Sequence, residues 1–179
     1  MKKLLKFAPL CALLLALVAF ILILAGHGIS YASKEAGVEI TGWMSSGLVL
    51  FGKGQTSATA AGHTLTTDVE DYKGAWNAVL AFILVIVALV ALLLSSLMVF
   101  VKVKALEKFS GLIALVAAGL LLVAGIFLFF TVPAFAAAND MKNTDGYAVG
   151  GAWVVAAILA ILGGLVSAFP AVLALVEKK

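Results

Sequence analysis

The chain has 179 residues, of which 64% are hydrophobic and 12% are charged, and its mean hydropathy is +1.20. Soluble proteins are about half apolar, so this composition excludes a water-soluble domain, a disordered chain and a disulfide-rich secreted scaffold. All twelve basic residues are Lys. Because Arg is the residue best suited to phosphate and base recognition, no nucleic-acid partner is expected. The composition predicts a membrane protein that contacts the lipid bilayer.

Four segments are apolar, free of charged side chains and long enough to cross a bilayer. A helical span needs roughly 20 apolar residues to cover about 30 Å of hydrocarbon. The segments are residues 7–25, 76–101, 109–132 and 149–176. Their apolar character runs all round each segment, whereas barrel strands would alternate. We therefore predict an all-α membrane protein, in which residues 1–179 form one domain built on a four-transmembrane-helix bundle.

The distribution of Lys predicts the orientation of the chain. Residues 1–6, 102–108 and 177–179 hold eight Lys and two acids, whereas residues 26–75 and 133–148 hold four Lys and seven acids. By the positive-inside rule, both termini and the 102–108 loop are expected in the cytoplasm, and the two acidic loops outside a plasma membrane. Amphipathic aromatic side chains at the outer span ends support the same orientation, because such rings favour the level of the lipid headgroups. These expected interface anchors are Tyr31, Tyr72, Trp76, Tyr147 and Trp153.

The first span has an alternative interpretation as a cleaved signal peptide. The segment 1–32 has a basic start, an apolar run and a Ser30-Tyr31-Ala32 ending, and its removal would leave three spans. The apolar run of residues 7–25 is longer than the usual signal core, and Gly26 to Gly28 are typical of a helix end. These features favour a retained span.

The first outer loop, residues 26–75, is predicted to form a small antiparallel β-sheet that rests on the helices. Three short segments have alternating, apolar or β-branched content, which favours strands. They are residues 38–43, 47–51 and 63–67. Gly42 and the Gly52-Lys53-Gly54 stretch are expected at turns or bulges. The second outer loop, residues 133–148, is expected to stop a helix and to turn at Asp145-Gly146.

Two motifs in these loops resemble parts of known sites. Residues 47–54 match the start of a phosphate-binding loop, but Gly54 stands where a Mg²⁺-binding hydroxyl is needed, so we interpret the segment as a strand and turn. Residues 143–146 match a fragment of a calcium loop without its first and last acidic ligands.

The residues that could bind a metal ion and the single thiol do not indicate a metal or redox site either. His and acidic residues of the first outer loop follow no metal-ligand spacing, and they are interpreted as solvated charges. These are His27, His63, Asp68, Glu70 and Asp71. Cys11 is the single Cys, so no disulfide forms within the chain, and it is expected to pack as a small apolar residue. No metal or cofactor is predicted.

No Asp, Glu, Lys, Arg or His lies inside the four predicted spans. Ion-coupled transporters, proton relays and voltage sensors place such residues in the membrane, and intramembrane proteases need them for catalysis. The side-chain hydroxyls inside are those of Ser95, Ser96, Ser110, Thr131 and Ser167. The loops offer no set of nucleophile, base and orienting group. We therefore expect a protein that is not an enzyme.

Small residues recur at every fourth position in two spans, which predicts close helix packing. One face consists of Ala8, Ala12 and Ala16, and the other of Ala152, Ala156, Ala160, Gly164 and Ala168. Within one chain these faces are expected to pack spans one and four together in a left-handed bundle. Alternatively, the span-four face contacts a partner protein or a second copy.

The layout of four spans, a long first outer loop with strand character and a short second one resembles the claudin and peripheral myelin protein tetraspan family. The family's first outer loop carries a Trp, then Gly-Leu-Trp and two Cys. Trp43 and Gly47-Leu48 resemble part of that motif, whereas Val49 replaces the second Trp and both Cys are absent. The resemblance implies a tetraspan fold and carries no functional residue over.

The hypothesis that these features favour is a small integral membrane protein that organises or assembles other proteins through its outer loop and its small-residue faces. The alternative hypothesis is an accessory or pore-forming subunit of a membrane transport complex.

Overall fold

A computed structural model describes residues 7–35, 37–101 and 104–176. Within these ranges, four helices are long and apolar enough to cross a membrane, in the segments Ala8–Ala25, Trp76–Met98, Phe109–Phe129 and Gly151–Pro170. The predicted segments contain all four. The Lys residues of the expected cytoplasmic ends at positions 2, 3, 6, 102, 178 and 179 lie outside the described residues.

The helices and strands follow one another in a mixed order. The helices are α1 (Ala8–Ala25), α2 (Ser46–Phe51), α3 (Trp76–Val101), α4 (Lys104–Phe129), α5 (Thr131–Ala138) and α6 (Gly151–Val176). The strands are β1 (His27–Glu35), β2 (Val38–Ser45), β3 (Gly54–Ala60), β4 (His63–Val69) and β5 (Tyr147–Val149). The protein is thus a four-helix bundle that carries a small β-sheet, as predicted.

The four long helices form a ring, which the contact between the first and the last of them closes. Helix α3 packs on α4, α4 on α6, α6 on α1, and α1 on α3. Ala side chains dominate the interior, with the larger Val85, Leu92, Leu121 and Leu128 between them. Because Ala lets helix backbones approach closely, the interior is filled without long side chains. Leu, Val, Ile and Phe side chains cover the outside of the ring, where a bilayer would solvate them.

The five strands form one antiparallel sheet in the order β4-β3-β2-β1-β5. Four strands come from the connection between α1 and α3, and β5 comes from the connection between α4 and α6. The end of the bundle where α1 ends and α3 begins is here named the sheet end. The candidate signal-peptide segment Ser30–Ala32 lies inside β1 and pairs with β2.

The segment 47–51, predicted as a strand, belongs instead to the short helix α2. Ser45 caps this helix by accepting a hydrogen bond from the Leu48 backbone N–H at 3.3 Å. Gly52 ends it in the left-handed conformation, with φ +75°, and donates its N–H to the Leu48 carbonyl. Both caps are local, and they outweigh the β-propensity of the apolar run.

Three of the observed strands, β1, β3 and β5, were not predicted. Much of β1 and β3 is Gly, Ala and Ser, which have little β-propensity, and β5 is only three residues long; pairing with neighbouring strands holds all three. Gly42, expected at a turn or bulge, lies inside β2. The irregularity in the ladder occurs instead between His27 and Ile29.

The connection predicted as the second outer loop, residues 133–148, begins with a helix where a helix stop was expected. Helix α4 ends at Phe129, and α5 starts at Thr131, whose hydroxyl donates a hydrogen bond of 2.8 Å to the Leu128 carbonyl. Pro133 is the third residue of α5, where a missing N–H costs little. Gly146, at the predicted turn, has φ +82°. At the opposite end of α4, the helix starts at Lys104, so only residues 102–103 of the predicted 102–108 loop separate α3 from α4.

Candidate functional site

The sheet is joined to the bundle through the buried side chain of Trp153. Its indole N–H donates to the Ile23 carbonyl at 3.1 Å and to the Ser46 hydroxyl oxygen at 3.0 Å. Ser46 in turn donates to the Gly26 carbonyl at 2.6 Å. The carbonyls at the end of α1 have no partner within the helix, so α2 and α6 supply the donors. This network fixes α2 against both helices.

A second contact stiffens the centre of the sheet. Tyr31 on β1 lies opposite Gly42 on β2, and its ring crosses Gly42 so that its hydroxyl donates to the Ser57 carbonyl of β3 at 2.9 Å. A Cβ atom at Gly42 would collide with the Tyr31 ring and the Ser57 carbonyl. The glycine therefore makes room for an aromatic side chain that links three strands.

The sheet is also held by contacts from the second connection. The Asn139 side-chain amide forms two hydrogen bonds with the Lys73 backbone. Its oxygen accepts from the Lys73 N–H at 2.7 Å, and its nitrogen donates to the Lys73 carbonyl at 2.9 Å. Beside it, the Tyr72 and Phe135 rings stack with their centroids 5.6 Å apart. These contacts join the segment between β4 and α3 to helix α5.

The partly buried Tyr147 belongs to β5 and lies 5.5 Å from the Tyr31 ring. Burial raises the pKa of the Tyr147 hydroxyl above its ordinary value of 10.0, and the neighbouring Tyr31 and Tyr72 hydroxyls raise this pKa further. Tyr147 is therefore a neutral packing group at physiological pH.

The β4 strand is the most accessible part of the sheet. Its residues from His63 to Asp68 are exposed, and Leu65 is 71% exposed. The strand pairs with β3 alone and forms one edge of the sheet. An edge strand presents unpaired N–H and C=O groups to another chain. The β4 edge, defined as residues 63–69, is the candidate site for a protein contact.

The predicted small-residue faces of spans one and four lie inside the chain. Helices α1 and α6 pack on each other, and the middle residues of both faces are fully buried. These are Ala12, Ala16, Ala156 and Ala160. A partner protein has no access to them.

The ends of these faces are packed differently. Ala8, Ala152 and Ala168 are half-buried. Gly164 contacts α4 instead of α1, because a Cβ atom there would lie 2.9 Å from the Ala118 carbonyl oxygen. The small residues at every fourth position of α6 therefore pack against two different helices, α1 and α4.

The five expected interface anchors have different surroundings. Trp76 is 63% exposed and Tyr72 is 37% exposed, so both rings can reach a lipid headgroup region. Tyr31 and Tyr147 are half-buried within the sheet. Trp153 is fully buried and contacts protein on all sides. Its ring therefore holds the sheet on the bundle and touches no lipid.

The loop motifs do not come together as chemical sites. Residues 47–54 form most of α2, its cap and the start of β3, whereas a phosphate-binding loop runs from a strand into a helix. Within residues 7–35, 37–101 and 104–176, no group of three or more His, Cys, Asp or Glu side chains could hold a metal ion. Glu70 lies 3.7 Å from the Lys53 ammonium in an exposed ion pair. His27 stacks on the Trp43 ring with centroids 4.0 Å apart, and Cys11 is exposed on α1.

The chain matches no protein-family model, and it has no significant match among curated proteins. The residues Trp43, Gly47 and Leu48, which carry the tetraspan resemblance, lie on β2 and α2. The sequence did not indicate the Trp153 and Ser46 network, because the two residues are 107 positions apart. Nor did it indicate the exposed edge, since strand order is set by tertiary pairing.

Proposed function

We propose that this protein is a small multi-pass membrane protein that organises or assembles other proteins through the edge of its sheet. The observation that carries the proposal is the exposure of the β4 edge, with the large apolar side chain of Leu65 at its centre. An extended segment of a partner can add to such an edge by main-chain hydrogen bonds, while Leu65 enters a pocket of the partner. The middle residues of the small-residue faces are buried between α1 and α6 and have no part in it.

The membrane and the orientation are also proposed. The four apolar helices support a multi-pass protein, and the excess of Lys in residues 1–6, 102–108 and 177–179 supports cytoplasmic termini in a plasma membrane. The sheet then faces the outside. Cys variants at Lys53 and Glu107, made in a Cys11→Ser background, test this: an impermeant maleimide should label the former and spare the latter in intact cells. External labelling at Glu107 contradicts the topology.

Membership of the claudin-like tetraspan family is a related proposal. It is supported by the layout, since strands from the long first connection and one strand from the second form a sheet at one end of a four-helix bundle.

Site-specific photocrosslinking tests the contact. A photoreactive benzoylphenylalanine at Leu65 should give a discrete protein adduct in the native membrane, and the same residue at Val38 should give none. Val38 is a matched control because it is an exposed apolar residue of the sheet, 42% exposed, that lies outside the β4 edge. Equal adducts at both positions contradict the edge contact.

A second experiment separates the organiser from the alternative transport role. The purified protein is reconstituted into liposomes, and its ion conductance is compared with that of empty liposomes. No conductance is expected. Conductance by the protein alone contradicts the organiser proposal and favours a pore-forming subunit.

A further inference from the structure

The turn before β4 decides which main-chain groups of that strand are free. Ala61 and Gly62 join β3 to β4 as a two-residue turn with φ +48° and +81°, and Ala60 pairs with His63. Positive φ at both positions is typical of the type I′ turn, whose two flanking residues exchange both of their hydrogen bonds. Along an antiparallel ladder, every second residue of β4 is then bonded to β3. The residues whose N–H and C=O groups point away from β3 are therefore Thr64, Thr66 and Asp68.

A side-chain contact agrees with this alternation. The hydroxyl oxygens of Thr59 and Thr64 lie 2.8 Å apart across the two strands. Opposite residues that exchange no main-chain bonds have closer Cα atoms, at about 4.5 Å instead of about 5.5 Å, so their side chains meet more readily. The contact supports an N–H and a C=O of Thr64 that face away from β3.

The β4 edge lacks the features that keep other chains away from an exposed strand. Such features are Lys or Pro within the strand, a bulge, or a very short strand. The pairing of β4 with β3 continues over seven residues without a register shift, and β4 contains neither Lys nor Pro. The edge is therefore open to the addition of another strand.

The two faces of β4 differ in chemistry, because successive side chains of a strand point to opposite faces. Leu65, which is 71% exposed, lies on one face. The exposed Thr64, Thr66 and Asp68 lie on the other. An added strand thus needs apolar residues on the face of Leu65 and polar residues on the face of Thr66, in alternation.

The end of β4 nearest the bundle is acidic. Asp68 is followed by Glu70 and Asp71, and these side chains are exposed. Glu70 lies 3.7 Å from the Lys53 ammonium, whereas no ion pair joins Asp68 or Asp71 to a Lys in the described part of the chain. Cross-strand pairs of opposite charge stabilise a sheet, and like charges destabilise it. The added strand therefore needs Lys or Arg at this end.

A second copy of this chain does not meet that requirement. Two copies inserted in one membrane with the same orientation hold their sheets at the same height. Pairing of their β4 edges would place Asp68 and the acids that follow it beside the same acids of the other copy, where like charges repel.

We propose that the β4 edge binds an extended segment of a partner protein in which apolar and polar residues alternate and a Lys or Arg lies beside Asp68. The polar residues of the segment exchange main-chain hydrogen bonds with Thr64, Thr66 and Asp68, and its apolar residues cover Leu65. This inference rests on the proposed function, because it names the chemistry of the partner at the same edge.

The charge is tested with the peptide Lys-Val-Lys-Val-Thr-Val-Thr and the full-length protein in a non-ionic detergent. In antiparallel register, the third residue of the peptide lies opposite Asp68 and the fifth lies opposite Thr66. By fluorescence anisotropy it should bind about tenfold more tightly than Glu-Val-Glu-Val-Thr-Val-Thr. The variant Asp68→Lys/Glu70→Lys should reverse this order. Equal binding of both peptides to the wild type overturns the basic assignment and leaves the edge contact standing.

The main-chain pairing is tested by N-methylation of the same peptide, which removes one N–H and leaves the protein unchanged. Methylation of the fifth residue, whose N–H faces Thr66, should abolish binding. Methylation of the fourth residue, whose N–H faces away, should leave binding unchanged. The same effect at both positions, or no binding of either unmethylated peptide, contradicts the edge contact and with it the proposed function.

A matched pair of protein variants tests the same main-chain group. Thr66→Pro removes the free N–H and should abolish peptide binding, whereas Thr66→Val keeps it and should bind as the wild type does. Proline is tolerated on an edge strand where its position donates no ladder bond. Undiminished binding by folded Thr66→Pro contradicts the pairing. If this variant does not fold, as judged by gel filtration, the methylated peptides decide.

Discussion

The indole N–H of Trp153 donates a hydrogen bond to the carbonyl oxygen of Ile23, 130 residues earlier in the chain, at 3.1 Å. The bond joins the beginning of α6 to the last turn of α1, at the level where the sheet begins. It satisfies a carbonyl that has no partner within its own helix. A side chain that the apolar pattern assigns to a span end thereby becomes the connection between the bundle and the sheet.

Replacing Trp153 with Phe is expected to destabilise the protein by about 1–3 kcal/mol, because the Ile23 carbonyl stays buried without its donor. The free energy of unfolding is measured by titration with a denaturing detergent in mixed micelles. Trp76→Phe is the control and should change it little, since Trp76 is 63% exposed. Equal losses in both variants are incompatible with a special role for the indole N–H.

Gly42→Ala is expected to destabilise the sheet by about 1–3 kcal/mol, because the new Cβ atom has no room beneath the Tyr31 ring. In a Tyr31→Ala background the same substitution should cost less, since one of the two colliding groups is gone. Thermal unfolding of the four variants of this cycle gives the coupling energy. If the losses of stability from Gly42→Ala and Tyr31→Ala simply add in the double variant, the contact between these two residues is contradicted.

The glycines of α4 should differ sharply from one another. Gly125→Ala should weaken the α4–α6 contact, because the added methyl would lie 2.6 Å from the Ile161 side chain and 2.8 Å from the Ala157 carbonyl. Gly119→Ala has nothing within 4 Å and should be neutral or stabilising by up to about 1 kcal/mol through helix propensity. Detergent titration of both variants measures the difference. A loss at Gly119 as large as that at Gly125 contradicts the packing.

Replacement of three buried serines with Ala is expected to change the stability of the protein in opposite directions. Ser95 and Ser167 donate to the Ser110 and Ala114 carbonyls of α4 at 3.0 and 2.7 Å, and replacing either with Ala should cost about 0.6 kcal/mol, a typical value in membranes. The buried Ser96 hydroxyl has no hydrogen-bond partner. Ser96→Ala should therefore leave stability unchanged or increase it. Unfolding titrations of the three variants measure the change in stability that each substitution causes. A larger loss of stability in Ser96→Ala than in Ser95→Ala contradicts the prediction.

Stability is expected to fall at alkaline pH through Tyr147. Burial, with Tyr31 and Tyr72 nearby, raises the pKa of its hydroxyl in the folded state above the unfolded value of 10.0. The folded state then holds its proton more tightly, so this contribution is complete below pH 10.0 and is lost as pH rises through the folded pKa. Thermal unfolding between about pH 8 and 11 should show a shallower alkaline decline for Tyr147→Phe. Identical slopes contradict the burial argument.

The number and place of the long helices could be predicted because each depends on local composition alone. A run of about 20 apolar residues without charge predicts a span by itself, and residues 76–101 coincide with α3. The strands were harder to predict from the sequence. Residues 38–43 and 63–67 were recognised by side-chain content, whereas Gly54–Ala60 has little β-propensity and is a strand because β2 and β4 pair with it. Segment 47–51 was assigned wrongly, because an apolar run of five residues fits a strand or a helix and the caps decide.

The sequence by itself determined that this is a multi-span chain with a strand-rich first connection, since hydropathy and charge are properties of each segment alone. Tertiary structure decided which surfaces stay free. It buried Ala12, Ala16, Ala156 and Ala160 between two helices, buried the ring of Trp153, and left the β4 edge exposed. Burial depends on what each residue meets across the fold, and those partners lie up to 130 residues apart.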